Sequence, residues 1–246
     1  MFWRGDQRLI VVDCGCTDPR LTAKRHAAGI IPAVPQKPGE PKEGVSKDLG
    51  ARLRQARERK GFTVRGLARY VGVSPSLVSQ IERGRVMPPV GTLYSITNQL
   101  ELVVDDLFRD ASAPRAERSK AASDALDPVQ RGQNRKTIRL AEGVRWERLT
   151  SQPDPEVEFL YVVYEVGAES CDEDSLIRHG GKEYAYMMSG RLGLRIGFEQ
   201  FELGPGDSIT FDAQMPHRLW TIGKKPAEAI WVVYNRHGDV RTTKTK

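Results

Sequence analysis

The chain has 246 residues, of which 39% are hydrophobic and 28% are charged, and its formal net charge is +6 at pH 7. This length allows two modest domains, each with its own core, and the composition is that of a soluble globular protein. No apolar run approaches the roughly 20 residues that span a bilayer, and the apolar segment 9–12 is too short for a signal peptide, so we expect a cytoplasmic protein without a membrane partner.

The positive charge is concentrated in the N-terminal half. Residues 1–135 hold 23 Lys and Arg against 15 Asp and Glu, whereas residues 136–246 hold 15 against 17. A polyanion is expected to bind the basic half, although a solvated basic surface would give the same counts. The three cysteines, Cys14, Cys16 and Cys171, are too few and odd in number for a disulfide framework, which favours a reducing compartment.

Composition and periodicity divide the chain into five segments. The first, 1–45, contains Pro32, Pro35, Pro38 and Pro41 among Gly, Lys and Glu and is expected to be a disordered tail. The segment 46–110 is predicted to be helical and 111–135 to be a linker rich in Ala, Ser, Arg and Lys. A β domain is predicted over 136–238, followed by a C-terminal tail over 239–246.

The helical segment is predicted from apolar residues that recur every three or four positions. Leu49, Leu53 and Ala56 form such a face on the first predicted helix. Thr63 and Ser74 are placed to cap the second and third helices through their side-chain oxygens. Glycines are placed to end the first three helices, at Gly61, Gly72 and Gly84.

Two more helices complete the prediction of a five-helix domain. The fourth is expected from about Gly91 or Thr92 to Leu100, and a short fifth contains Leu107 and Phe108. The second and third helices, joined by a tight turn, predict a helix-turn-helix, in which the later helix enters the major groove of DNA.

The third predicted helix carries the candidate base-reading residues. Leu77, Val78 and Ile81 face inward, which leaves Ser and Gln side chains on the outer face, and Gln can pair bidentately with adenine. Basic residues and helix starts near this helix are candidates for phosphate contacts. The predicted DNA-binding residues are Thr63, Arg65, Ser74, Ser76, Ser79, Gln80, Arg83, Arg85 and Thr92.

The pattern LAxxVGVSxSxxSxIERGxxxP over 67–88 resembles the xenobiotic-response-element family of phage-repressor-like helix-turn-helix domains. The resemblance implies that Ser76, Ser79 and Gln80 read bases and that the protein binds two half-sites as a dimer. The alternative is a helical bundle of similar sequence that is used for protein contacts.

The segment 136–238 predicts an all-β sandwich or small barrel. Short apolar runs at 157–166, 184–188, 192–198, 208–211 and 229–235 are separated by turn signals such as Ser189-Gly190. Within it, His179-Gly180-Gly181-Lys182-Glu183 with Gly190, and Gly206-Asp207 with Pro216-His217, resemble the two motifs of the cupin superfamily. The resemblance implies a double-stranded β-barrel.

The cupin resemblance also implies a ligand set. His179, Glu183 and His217 fall at metal-ligand positions of the family, whereas the position of the family's first histidine is occupied by Ile177, which cannot ligate a metal. Two histidines and one carboxylate suit a divalent Fe, Mn, Ni or Zn ion with open coordination positions. Alternatively, these residues are walls of a metal-free pocket. The predicted effector pocket consists of Arg178, His179, Glu183, Tyr186 and His217.

These features together predict a sequence-specific transcriptional regulator. We expect it to bind double-stranded DNA as a homodimer or higher homo-oligomer, to sense a small molecule or metal in its cupin domain, and to have no enzymatic activity. The alternative is an iron(II)-dependent cupin oxygenase or epoxidase that carries a helix-turn-helix domain, with His179, Glu183 and His217 as iron ligands. The basic reading helix argues against that alternative.

Overall fold

The computed structural model describes residues 43–108 and 128–236, which belong to one compact unit. Nearly all of the predicted N-terminal tail, with Cys14 and Cys16, lies outside the described residues, as do most of the predicted linker and the C-terminal tail. No described helix is long and apolar enough to cross a membrane.

The described N-terminal region contains four α-helices. They are α1 (Glu43–Arg59), α2 (Val64–Val71), α3 (Pro75–Glu82) and α4 (Val90–Leu100). The predicted caps are present: the Thr63 hydroxyl accepts from the Gly66 N–H at 3.0 Å and the Ser74 hydroxyl from the Leu77 N–H at 3.1 Å. Gly72 ends α2 in the left-handed conformation, with φ 78°.

The prediction of five helices is wrong. Residues Val104–Phe108 form a short 3-10 helix instead of a fifth α-helix. Five residues allow little more than one turn, and the tighter 3-10 turn is common in such short connectors. It still places Leu107 and Phe108 in the core, where they are 5% and 4% exposed.

Helix α3 is held against α1 by a buried ion pair. Arg57 Nε lies 2.6 Å from Glu82 Oε1, its Nη2 lies 3.0 Å from Oε2, and its Nη1 donates to the Phe62 carbonyl at 2.8 Å. The helices also approach closely at Gly50, where a Cβ would lie 2.3 Å from the Ile81 carbonyl oxygen. These contacts fix the orientation of α3, the predicted DNA-recognition helix.

The C-terminal region folds into two antiparallel sheets. Its nine described strands are β1 (Thr137–Arg139), β2 (Val144–Arg148), β3 (Val157–Tyr164), β4 (Lys182–Ser189), β5 (Leu192–Ile196), β6 (Glu199–Leu203), β7 (Ser208–Asp212), β8 (His217–Thr221) and β9 (Ala227–Tyr234). One sheet has the order β1-β2-β3-β9-β4-β7 and the other β6-β5-β8.

The six-stranded sheet has one buried and one exposed face. Along β4, Glu183, Ala185 and Met187 are buried, whereas Tyr184 and Tyr186 are exposed, as the alternation of a strand requires. The buried face and the three-stranded sheet enclose a core that includes Leu194, Leu219 and Trp231.

Helix α4 packs directly on the β domain. The Gly91 N–H donates to the Ser170 carbonyl at 3.0 Å, and the Ala141 N–H donates to the carbonyl of Pro88, just before α4, at 3.1 Å. Buried apolar residues of the helices and of the sheets belong to a single cluster. The helical and β regions therefore share a core through α4.

Candidate functional site

Three buried residues, His179, Glu183 and His217, converge at one point inside the β domain. Nε2 of His179 lies 2.7 Å from Oε1 of Glu183, and Nε2 of His217 lies 3.5 Å from the same oxygen. One ligand atom from each residue can be chosen so that all lie within 4.8 Å of one another. This spacing suits three ligands of one transition-metal ion, each about 2.1 Å from it.

Backbone contacts orient both imidazole rings. Nδ1 of His179 lies 2.9 Å from the Gly180 carbonyl oxygen, and Nδ1 of His217 lies 2.9 Å from the Met215 carbonyl oxygen. With a proton on each Nδ1, both Nε2 lone pairs point toward Glu183, which is the arrangement of metal-ligating histidines. Nε2 of His179 also lacks a well-aligned hydrogen bond. A divalent cation would be a ligand partner for both Nε2 atoms and for Oε1 of Glu183 at once.

The fold holds His179 in place by close backbone packing. The His179 N–H donates to the Ala213 carbonyl at 3.1 Å. A Cβ at Gly180 would lie 2.2 Å from the Arg236 carbonyl oxygen, and Gly181 has φ +90°. Only glycine fits these two positions, so the Gly-Gly pair sets the path of the chain between the histidine and β4.

Trp231 on β9 holds the second oxygen of Glu183. Its indole N–H donates to Oε2 at 2.8 Å, which leaves Oε1 facing the histidines. Burial alone would raise the pKa of Glu183, but the contacts with His179, His217 and Trp231 hold that pKa below its usual value. Burial lowers the pKa of His217, against the attraction of Glu183. Both shifts favour the deprotonated forms that bind metals.

The cluster borders a cavity of about 20 Å³, which holds little more than one or two water molecules or a metal ion. Ile177 lines this cavity beside His217, with which it exchanges two backbone hydrogen bonds of 2.8 and 2.9 Å. Ile177, which occupies the position of the family's first histidine, therefore faces the cluster, but its side chain is apolar.

Two of the predicted pocket residues lie elsewhere. Tyr186 is 52% exposed on the outer face of β4, because it lies three positions from Glu183 and strand neighbours alternate between faces. Arg178 is also exposed, and its Nε donates to the Gln214 carbonyl at 3.0 Å. Neither residue lines the cavity.

Two residues that the sequence analysis did not select, Tyr94 and Arg236, lie next to the cluster. The Tyr94 ring of α4 has its centroid 4.7 Å from that of His179, and the Arg236 guanidinium lies 3.8 Å from the Tyr94 centroid. Arg236 is buried, with Nε 3.1 Å from Glu158 Oε1. Sequence patterns give no sign of these contacts, because the residues come from α4, β3 and the segment after β9.

The candidate DNA-binding surface is formed by α2, α3 and their caps. Ser76, Arg65, Arg83 and Arg85 are exposed, and Ser79 and Gln80 are partly exposed. The Gln80 amide donates to the Ser76 hydroxyl at 3.2 Å. The Thr63 and Ser74 hydroxyls already accept hydrogen bonds from the N–H groups of their helices.

The charge of this surface is uniformly positive. Between residues 61 and 100 the sequence has four arginines and a single acidic residue, Glu82. The Glu82 side chain is buried against Arg57, so α2 and α3 expose no carboxylate. Unlike the other predicted DNA-binding residues, Thr92 lies beside the β domain, because the N–H of the neighbouring Gly91 donates to the Ser170 carbonyl.

Comparisons with known proteins agree with both halves of the molecule. A helix-turn-helix domain family matches residues 48–108, and a cupin domain family matches residues 155–233. The HTH-type transcriptional regulator PuuR of Escherichia coli (strain K12) is 23% identical over 168 residues, which cover 68% of this chain and 84% of PuuR. The uncharacterized HTH-type transcriptional regulator YazB of Bacillus subtilis (strain 168) is 34% identical over 58 residues, which cover 24% of this chain and 84% of YazB.

A solved structure shows the same fold. It is the crystal structure of an HTH_3 family transcriptional regulator from Vibrio cholerae, with a TM-score of 0.54 and 19% identity, covering 78% of this chain and 97% of that chain. The chain belongs to the helix-turn-helix transcriptional regulators, a class of DNA-binding proteins. Its DNA-binding domain is followed by a cupin sensor domain.

Proposed function

We propose that the protein binds an operator as a homodimer through α3 and that its cupin domain senses a small molecule at a divalent metal held by His179, Glu183 and His217. The observation that carries this proposal is the combination, in one compact unit, of a basic helix pair that exposes no carboxylate and a buried His-Glu-His cluster of a kind that binds metals. We assign the helices to the xenobiotic-response-element group and the two sheets to a cupin β-barrel, and we place the protein in the cytoplasm.

In this proposal, Ser76, Ser79 and Gln80 read base edges from α3. Gln80 pairs with adenine, for which its amide must exchange the Ser76 hydroxyl for a base. The exposed arginines Arg65, Arg83 and Arg85 contact phosphates, with Thr63 and Ser74 beside them and Thr92 at the edge of the surface. Such contacts make binding strongly dependent on salt.

A second copy of the chain is proposed to cover the outer face of the six-stranded sheet. Phe159, Tyr184, Tyr186, Met188 and Tyr234 are each 36–52% exposed on this face, and Phe159 and Tyr184 flank Val232 across neighbouring strands. Together they expose roughly 500 Å² of mostly apolar surface, a size that is often functional. Two copies would also match two operator half-sites.

The metal would be held by both Nε2 atoms and by Oε1 of Glu183, with Fe, Mn, Ni and Zn as the candidate ions. When bound, it supplies a Lewis-acidic centre with open coordination positions for a donor atom of the effector. The chain's own part is to keep both Nδ1 atoms on backbone carbonyls and Oε2 on Trp231, so that the three ligand atoms remain aimed at one point.

DNA binding is tested by selecting genomic fragments on the purified full chain. We expect a defined sequence to be enriched, and Gln80→Ala to lose at least tenfold in affinity for it. The matched control is Gln55→Ala, since Gln55 is an exposed glutamine of α1, and it should bind as the parent does. Enrichment of no sequence would contradict the proposed operator binding.

Metal binding is tested by mass spectrometry of protein purified anaerobically without a metal-affinity tag. Stoichiometric Fe, Mn, Ni or Zn that is absent from the His217→Ala variant would support the proposed site. Absence of metal from the parent protein, even after incubation with these ions and desalting, would contradict it.

Oxygenase activity is a second candidate function, because two histidines and one carboxylate are also the ligand set of non-haem iron(II) oxygenases. The comparisons favour a regulator without catalysis, since the matched relatives are named as transcriptional regulators. Iron-dependent oxygen consumption that disappears in His217→Ala would favour the enzyme.

A further inference from the structure

The orientation of the His179 ring depends on contacts from outside its own loop. Its Nδ1 lies 2.9 Å from the carbonyl oxygen of Gly180, the next residue in the chain, and this contact holds the ring only relative to that loop. By contrast, the Glu183 carboxylate is held by Trp231 from another strand. The direction of the His179 Nε2 lone pair toward Glu183 therefore depends as well on the side chains that pack against the ring.

Tyr94 of α4 packs against the His179 ring. The two ring centroids lie 4.7 Å apart with an interplanar angle of 46°, and both side chains are buried. This separation is within the range of stabilising aromatic pairs. A second aromatic contact of the His179 ring is with His217, whose centroid lies 5.3 Å away and which is itself a candidate ligand. Tyr94 is thus a contact of the ring that lies outside the ligand set.

The Tyr94 ring is itself fixed from the β region. The Arg236 guanidinium lies over this ring, 3.8 Å from its centroid, and the Trp146 ring lies 5.3 Å from it. Arg236 is buried, and its Nε lies 3.1 Å from Oε1 of Glu158 on β3. Cation–π contacts are strongest when they are desolvated, so these contacts hold the Tyr94 ring beside His179.

The opposite side of α4 belongs to the core of the DNA-binding domain. Three residues on that side are buried in the shared core: Leu93, Ile96 and Leu100. Ile96, two positions beyond Tyr94, lies about 200° around the helix from it. The beginning of α4 is attached to the β region by the Gly91 N–H, which donates to the Ser170 carbonyl at 3.0 Å. The place of the Tyr94 ring beside His179 therefore depends on the docking of the helical domain.

We propose that Tyr94 is a positioning residue for His179, and that the docked DNA-binding domain thereby sets the affinity of the metal site. Tyr94 provides no ligand atom. Its ring restricts rotation of the imidazole, so that Nε2 of His179 stays directed at Oε1 of Glu183, 2.7 Å away. This inference rests on the proposed function for the presence of a metal, whereas the orientation of the ring can be measured in the protein without one.

The first test measures the Zn²⁺ affinity of the full chain by chelator competition. Tyr94→Leu removes the ring and should weaken Zn²⁺ binding about tenfold, the lower end of the loss that follows when a residue that orients a metal ligand is replaced. Tyr94→Phe keeps the ring without the hydroxyl and should bind Zn²⁺ as the parent protein does. Circular dichroism shows whether each variant is folded.

The matched control is Ile96→Ala on the same helix. Ile96 is at least as deeply buried as Tyr94, but it lies on the other side of α4. The substitution should lower Tm by leaving a cavity in the core, and it should leave the affinity for Zn²⁺ unchanged. It thus separates a loss of stability from a loss of ring orientation.

The second test uses NMR on the protein without metal. The chain has four histidines, which makes assignment of their ring protons practicable. We expect NOEs from the ring protons of His179 to those of Tyr94 and His217, because the ring centroids lie 4.7 and 5.3 Å apart. In Tyr94→Leu the NOE between the two imidazoles should weaken, since the His179 ring is no longer held, and in Tyr94→Phe it should persist.

The proposal is overturned if folded Tyr94→Leu binds Zn²⁺ as tightly as the parent, if Tyr94→Phe or Ile96→Ala loses as much affinity as Tyr94→Leu, or if the parent shows no NOE between Tyr94 and His179. Should Tyr94→Leu not fold, that last measurement on the parent protein decides. Equal Zn²⁺ binding by the parent and Tyr94→Leu rejects this inference and leaves the proposed metal site standing. A parent protein that binds no Zn²⁺ rejects the proposed metal site and the effect on its affinity, and the NOEs alone then decide whether Tyr94 positions the ring.

Discussion

Replacing Arg57 with methionine tests what holds the DNA-reading helix in place. The Arg57 guanidinium is the cation beside the buried Glu82 carboxylate, with contacts of 2.6 and 3.0 Å, and it also donates to the Phe62 carbonyl at 2.8 Å. The hydrogen bond to Glu82 raises the pKa of Arg57. Arg57→Met keeps most of the side-chain length but leaves a carboxylate, 6% exposed, without this partner.

The expected cost follows from the burial of both groups. Removing one partner of a buried ion pair destabilises a protein by about 3–5 kcal/mol, because the other charge stays in a low-dielectric site. For a protein of this size, 1 kcal/mol shifts Tm by about 2–4 °C, so Tm should fall by about 6–20 °C. The double variant Arg57→Met/Glu82→Met removes both charges of this pair and should recover most of the loss.

The assay is urea and thermal unfolding followed by circular dichroism. The matched control is Arg54→Met on the same helix, where the arginine is 60% exposed and lies 2.9 Å from Glu58; it should cost less than about 1 kcal/mol. A loss below about 1 kcal/mol in Arg57→Met would refute the reasoning, as would a double variant that is less stable than Arg57→Met.

Three further predictions concern the β region. Ile177→His adds a fourth ligand beside His217, so the affinity for Zn²⁺ in chelator competition should rise at least tenfold. An unchanged affinity would show that residue 177 cannot reach the ion. Trp231→Phe removes the 2.8 Å hydrogen bond to Glu183 and should weaken the affinity for Zn²⁺ about 10–100-fold. An affinity for Zn²⁺ equal to that of the parent protein would mean that this hydrogen bond does not position the carboxylate. Burial raises the pKa of the Cys171 thiol, so below that pKa the thiolate fraction is smaller than in the unfolded chain. With Cys14 and Cys16 replaced by serine, the native thiol should therefore react with DTNB at pH 8 at least tenfold more slowly than in urea, and equal rates would contradict this.

The helix-turn-helix could be predicted from sequence because its signals are local. Caps at Thr63 and Ser74 and the left-handed Gly72 are set by residues within one turn of each helix. The fifth helix was predicted wrongly because Leu107 and Phe108 give an apolar pattern without enough residues for an α-helix. An apolar pattern indicates which residues are buried, but it does not distinguish a short α-helix from a 3-10 turn.

The candidate site was only partly predictable for the same reason. His179 and Glu183 are close in sequence, and the motif containing His217 is recognisable by its spacing. Tyr186, which was predicted to line the pocket, lies on the outer face opposite Ile230. The sequence does not give the face on which a strand residue lies, because that depends on the register with the neighbouring strands. Tyr94 reaches His179 across 85 positions of the chain, a contact that only the packing of α4 creates.

The packing of α4 also limits how this protein can have evolved. Separate domain families match the two halves of the chain, so the molecule can be divided into a DNA-binding module and a sensor module. Here Val90, Gly91 and Tyr94 of the first module are fitted to Ile177, Cys171 and His179 of the second. A different sensor domain placed behind these helices would leave an aromatic residue without its pocket, so recombination between relatives should succeed only when α4 is inherited together with the sensor.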